Sequence, residues 1–328
     1  MRIAMIHCWY LQEPGQKVLM TCDKDNWMLW YCPWSYSLTW EGYNVDIFDP
    51  RELDATALNN YDVLVINVRP EMARAYSSIM PDLDKRMKVI AIESDPYGGI
   101  DGVYITDLSV MLDVYNSATL IVPLHKELAS LYPDKILHLP FGVNTRYTEK
   151  FLSGDKFEQK TVVLLHTHKI YGGFLRTVEL LLKHNYQVIG TVTLDEEQLT
   201  LLQHHIDNLF GINKVELLQY LPDSSHTELI AKSHLICSLG YIAVSGCAIP
   251  KAAAFGVPCV TLNNHFFQRI YYPDILPETI DEADNILGNQ QLLDESAVKA
   301  KEIAYKLSTE NPEYRKMIVD KFKEIAEL

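Results

Sequence analysis

The sequence predicts an α/β protein made of two parallel-sheet domains, and three observations lead there. Apolar runs of about five residues, such as Tyr61 to Asn67, recur between helix-length stretches, as strands covered on both faces do. The pattern breaks at the charged connector Lys150 to Gln159 and then restarts. With 328 residues, 48% hydrophobic and 22% charged, the chain can bury two cores of ordinary globular composition.

Taken in order, Ile3 to His7 is a buried-type strand, and the polar stretch Trp9 to Asp25 that follows contains Glu13-Pro14-Gly15. A long loop at the carboxyl end of a first strand is where open α/β sheets place ligand contacts. Trp27 to Trp40, with Trp27, Trp30, Tyr31, Trp34 and Tyr36, reads as a helix packed on the sheet and interrupted near Pro33. Its functional alternative is a stacking platform for a sugar or a base. Gly42 stops a helix before a strand that ends at Asp49. Tyr61 to Asn67 and Met87 to Ser94 repeat the strand and its polar carboxyl end, with a surface helix at Glu71 to Arg86 between them. Tyr115 to Pro123 and Lys135 to Pro140 read as further strands around a helix at Leu124 to Tyr132, and Phe141-Gly142-Val143-Asn144 closes this half.

The second half alternates the strand Thr161 to Leu165, helix Gly173 to Asn185, strand Tyr186 to Val192, helix Asp195 to Phe210, strand Val215 to Tyr220 and helix Ser225 to Ser233. The stretch Ile236 to Leu262 then gives a strand ending at Ser238, a Ser245-Gly246 turn, a small-residue helix Cys247 to Phe255, a Gly256 stop and a strand Val257 to Leu262. Strand, turn and helix in this order aim unpaired amide N–H groups at a ligand, which suits phosphate. Ala252, Ala253 and Ala254 permit close helix-to-sheet approach, and Gly256 suits a left-handed cap. Glu295 to Leu307 and Asn311 to Glu327 read as amphipathic helices. The expected domains are residues 1–150 and 151–309, with a terminal helix at 310–328 that crosses back to the first.

Forty-three acidic against 29 basic residues give a net charge of −14, which opposes unassisted binding to nucleic acid or an anionic membrane. The six cysteines, Cys8, Cys22, Cys32, Cys237, Cys247 and Cys259, lack metal-type pair spacing and read as reduced structural thiols. The apolar Met1 to His7 is too short for a signal-peptide core, and no run approaches the roughly 18 apolar residues of a membrane span. A soluble, cytoplasmic protein is expected.

Four stretches resemble the GT-B glycosyltransferases, which use nucleotide-sugar donors and are built from two Rossmann-like parallel-sheet domains facing a central cleft. They are Val89 to Pro96; Lys135 to Asn144; Leu217 to Asp223 with Glu228 to Leu235; and Ser245 to Pro258. The resemblance implies an acceptor-side first domain and a donor-binding second domain, with the nucleotide-sugar as co-substrate, no cofactor and no metal. Many retaining members carry two glutamates, one near the donor sugar and one on the nucleotide ribose. The corresponding positions here are Ala243 and Lys251, so donor identity and stereochemistry stay open. The first domain also lacks the common Gly-Gly turn after its first strand.

By the same resemblance, basic residues after the second domain's first strand meet pyrophosphate. In His166 to Arg176 these are Lys169 and Arg176, with Gly172 and Gly173 allowing backbone approach. His166 and His168 alternate but have no evident third ligand, so no metal is expected there. Ser245, Gly246 and Lys251 complete the donor set; the non-functional reading of Lys251 is a surface lysine. Asp95 and His7 end acceptor-side strands, and a carboxylate at Asp95 would orient or deprotonate an acceptor hydroxyl. The expected function is glycosyl transfer to an unidentified acceptor, whether glycan, small molecule, protein or modified nucleic acid. A sugar-nucleotide epimerase of the same fold and a non-catalytic nucleotide-sugar binding protein are the alternatives.

Overall fold

The computed structural model describes residues 1–6, 32–49, 53–68, 70–93, 108–124, 126–152, 154–164, 173–192, 194–219, 221–240, 248–262 and 266–328. Two five-stranded parallel sheets organise them. In the first, β1 (Arg2–Ile6), β2 (Asn44–Phe48), β3 (Val63–Val68), β4 (Lys88–Glu93) and β5 (Leu120–Val122) lie in the order β2-β1-β3-β4-β5. In the second, β6 (Thr161–Leu164), β7 (Gln187–Val192), β8 (Val215–Gln219), β9 (Leu235–Ser238) and β10 (Cys259–Thr261) lie in the order β10-β9-β6-β7-β8. All six residues of β3 are buried, because helices and the chain cover both faces, and this is why the strands read as unbroken apolar runs. In each sheet the winding direction reverses once, between β1 and β3 and between β6 and β9. Open α/β sheets bind ligands outside the carboxyl ends of the strands at such reversals.

The described chain divides into two units, the first running to Phe141 and taking up Asn311–Leu328 as well, the second spanning Gly142–Glu310. The helix Thr145–Glu149, which precedes the charged connector, therefore belongs with the second unit. One face of the first sheet packs Ile6, Leu64, Ile66 and Ala91 against Met72, Tyr76, Met111 and Val114. Elsewhere in this unit Trp34 stacks on Phe141 at 4.5 Å, meets Phe322 of the helix Pro312–Glu327 edge-on at 6.0 Å, and donates its indole N–H to the Pro140 carbonyl at 3.0 Å. Trp34 is a core residue, its polar tip satisfied. Pro33 lies in the helix Cys32–Trp40, and the earlier part of the expected helix, Trp27 to Tyr31, lies outside the described residues.

Several expectations are corrected. Lys135 to Pro140 forms no strand: a short 3-10 turn at Pro133–Lys135 leads to one isolated bridge, Ile121 to Ile136. Leu137 and Leu139 are buried without ladder pairing, which explains the misleading apolar signal. Tyr115 lies in the helix Leu108–Ser117, and β5 is only three residues long. The helix expected from Glu71 to Arg86 spans Pro70–Ile79 and ends in a 3-10 turn, Met80–Asp82. The helix expected from Glu295 starts at Gln290, capped by Asn289. No helix among the described residues is long and apolar enough to cross a membrane. Cys237 and Cys259 are buried thiols without a disulfide, and burial pushes both thiol pKa values up, so they stay protonated.

Candidate functional site

The described part of the candidate site lies where the second sheet reverses, at the start of the helix after β6 and at Leu239 and Gly240 after β9. The helix Phe174–Lys183 follows β6, and Gly173 occupies its cap position at φ 107°, a left-handed conformation that a side chain would strain. A β-carbon at Gly173 would stand 3.4 Å from the Leu239 carbonyl oxygen and 3.9 Å from the Gly240 Cα, so the chain leaving β9 closes on the start of this helix. Two separately predicted donor-side segments therefore meet.

Among the described residues, no side chain caps this helix start. The helices beginning at Ala55, Thr145, Glu196, Ile280, Gln290 and Pro312 are capped by side chains of Asp54, Asn144, Asp195, Thr279, Asn289 and Asn311. Gly173 has no side chain with which to do so. First-turn amides without a cap, together with the positive end of the helix dipole, favour an anion. Arg176, also in the first turn, is exposed and forms no ion pair among the described residues. A cation at the positive end of a helix is unfavourably placed until an anion joins it.

Lys251 is placed otherwise. It belongs to the helix Ala248–Phe255, every residue of which is buried, and it is itself 4% exposed. Ala252 and Ala253 are completely buried, and a paired cap, Gly256 N–H to Ala253 O at 3.0 Å and Val257 N–H to Ala252 O at 2.9 Å, ends the helix with Gly256 at φ 67°. The Lys251 ammonium donates to Asp223 Oδ1 at 2.5 Å and Thr227 Oγ1 at 3.0 Å, and lies 5.7 Å from the centre of the Tyr147 ring. Asp223 Oδ2 accepts from the Tyr147 hydroxyl at 3.0 Å. The surface-lysine reading is thus overturned: a buried ammonium needs a charged, hydrogen-bonded partner, and Asp223 supplies it. Beside this pair His226 is pushed from 6.5 down to about 4, first by burial and then by the Lys251 charge, with Asp223 pulling it the other way. Its imidazole is neutral at pH 7.

Of the sequence-predicted site residues, Gly173 and Arg176 lie together at the start of the helix Phe174–Lys183 and Lys251 lies in the buried pair. His7, Asp95, Lys169, Gly172, Ser245 and Gly246 lie outside the described residues, as do His166 and His168. Asp223, Tyr147 and His226 were not singled out by sequence. Asp223 ends one of the stretches that carried the resemblance, and Asn144, which ends another, caps the helix that carries Tyr147 by accepting from its amide at 2.9 Å.

No family model matches the sequence, and no curated protein matches it. Solved structures do. The chain is similar to HepE of Anabaena in complex with UDP, at 14% identity and a TM-score of 0.65, over 99% of this chain and 100% of that one. It is similar to sucrose-phosphate synthase from Thermosynechococcus elongatus at 11% identity and a TM-score of 0.69, over 99% and 98% of the two chains. It is also similar to an alpha-glucosyltransferase in complex with UDP and a 13-mer DNA, at 12% identity and a TM-score of 0.60, over 99% and 98%. Two parallel five-stranded sheets, each reversing direction once, and alignment over nearly whole chains lead to one conclusion: this protein has the GT-B glycosyltransferase-like fold, with two Rossmann-like units.

Proposed function

We propose that the protein is a glycosyltransferase whose second unit binds a nucleotide-sugar, with the diphosphate at the amino end of the helix Phe174–Lys183. The observation that carries this reading is that helix start: a first turn behind Gly173 that has, among the described residues, no side-chain cap and no ion pair for Arg176, with Leu239 and Gly240 at the end of β9 against it. The solved relatives of the same fold that hold UDP or UDP-glucose support a nucleotide-sugar as the donor. Lys169, Gly172, Ser245 and Gly246 belong to the same proposed donor site, and His7 and Asp95 to the acceptor side.

Chemically, transfer breaks the bond between the anomeric carbon and the β-phosphate oxygen, and negative charge grows on the departing diphosphate. Fixed amide dipoles and a guanidinium aimed at that charge stabilise it without reorganising, which is where such sites gain most of their rate. The acceptor hydroxyl forms the new bond to the anomeric carbon and gives up its proton. A non-catalytic nucleotide-sugar binding protein is the second reading, favoured by the absence of a carboxylate at Lys251. An epimerase is distinguished by its product.

Thermal shift and calorimetric titration with UDP and UDP-sugars test the binding step. Ligand at about 100 times its dissociation constant should stabilise the fold by roughly 2.7 kcal/mol. No stabilisation by any nucleoside diphosphate or its sugar would overturn the reading. Turnover of a bound donor separates enzyme from binding protein.

A further inference from the structure

We infer that Asn67 binds the molecule that receives the sugar, accepting a hydrogen bond from a hydroxyl of a neutral sugar or polyol at the carboxyl end of β3. This rests on the reading that the protein transfers a sugar and that its first unit takes the receiving molecule. Asn67 is the last residue but one of β3 and is 2% exposed. Its Oδ1 is buried and receives no hydrogen bond among the described residues. A buried oxygen left without a donor costs stability, so a fold gains by keeping one only where a ligand supplies the donor. The neighbouring strand ends show the contrast. Asp49, just past the end of β2, is buried and has an interaction partner. Glu93, the last residue of β4, accepts from the Leu124 amide at 2.6 Å.

The position of Asn67 in the sheet is where a ligand meets such a fold. β3 flanks β1 at the reversal of the first sheet, and open α/β sheets bind ligands outside the carboxyl ends of their strands there. β1 pairs with β3 only from Ile3 with Val63 to Met5 with Val65, so Asn67 lies two residues beyond the last pair. Side chains alternate along a strand, which puts Asn67 on the face opposite Leu64, Ile66 and Val68, the residues sealed in the core with Met72 and Tyr76. The chemistry of the atom selects the ligand. An amide oxygen only accepts, so it takes an O–H and repels the oxygens of an ionised phosphate or carboxylate, which have no hydrogen to give. Being neutral, it orients the hydroxyl that it holds and removes no proton from it.

Calorimetric titration of glucose, sucrose and glycerol into the parent, Asn67→Val and Asn67→Asp, each saturated with UDP, tests this. The parent should bind at least one of the three compounds. Asn67→Val removes the amide oxygen and should weaken that binding about tenfold or more, with the UDP dissociation constant unchanged and the melting temperature no lower than the parent's. Asn67→Asp keeps an oxygen in the same place and should retain the binding. Parental sugar affinity in folded Asn67→Val would overturn the proposal, as would a parent that binds none of the three. An equal loss in both variants would also overturn it, because the packing of the side chain and not its oxygen would then set the affinity. If the parent binds no UDP, the donor-site reading fails first, and the same titrations without UDP then decide the role of Asn67 by the same outcomes.

Discussion

Arg176 and Lys251 are both cations near the start of helices that follow strands of the second sheet, and the fold treats them in opposite ways. Arg176 stands exposed at an uncapped first turn with no ion pair among the described residues. Lys251 is buried in a helix without an exposed residue, its ammonium held by Asp223 and Thr227. The difference teaches that a basic residue in a donor-type segment serves a ligand only if the protein leaves its charge unmatched. Among the described residues Arg176 meets that condition, and Lys251 does not.

The sharpest way to break the contrast is Lys251→Glu, which places a second carboxylate against Asp223 in a buried site. Breaking a buried pair costs about 3–5 kcal/mol, and repulsion adds to it. Urea denaturation should find this variant largely unfolded; near-parental stability would return Lys251 to the role of a solvent-facing ligand. Acid attacks the same cluster through His226. Its folded pKa of about 4 lies below the ordinary 6.5, so the unfolded state binds the extra proton between those values and stability falls as pH drops from 6.5 towards 4. The full effect is roughly 3 kcal/mol at the lower end. Denaturation of the parent and of His226→Gln across that window should give a shallower acid slope for the variant.

On the other side of the comparison, Arg176→Ala should leave the melting temperature unchanged and raise the UDP dissociation constant about tenfold or more, as loss of a charge-assisted hydrogen bond worth roughly 1.5–3 kcal/mol implies. Calorimetry at constant ionic strength measures it. Gly173→Ala should be the mildest, costing about 1–2 kcal/mol of stability, because the left-handed conformation at φ 107° strains a side chain and the new methyl meets the Leu239 carbonyl. A chemical melt with stability equal to the parent would show that the turn relaxes to accept it.

How legible each feature was in sequence depends on how local its cause is. β3 and β4 could be read because burial on both faces turns a strand into a short apolar run with turn residues at each end. Gly256 could be read because a left-handed cap is a property of one residue and its neighbours. Lys135 to Pro140 was misread because buried leucines in an irregular segment look like a strand when pairing is unknown. Tyr115 was misassigned because the apolar end of its helix runs within a few residues into the very short β5. The partnership of Lys251 with Asp223, 28 positions apart, depends on two helices being brought side by side, and no local pattern announces that. Gly173 could be singled out as a glycine at a helix start, but its neighbour, the chain after β9, emerged only in the structure.

The helix Pro312–Glu327 gives the chain an unusual order of assembly. It belongs to the first unit, where Ile318, Phe322 and Ile325 are buried and Phe322 meets Trp34, although everything from Gly142 to Glu310 before it belongs to the second. The two connecting passages hold each other inside the second unit, where the Val143 amide donates to Leu307 and the Thr309 amide to Val143, at 3.1 and 3.0 Å. On the ribosome, then, Trp34 has its stacking partner Phe141 early but lacks Phe322 until Pro312–Glu327 has emerged, after the residues of the second unit. The amino-terminal unit is the one that a nascent chain must protect longest.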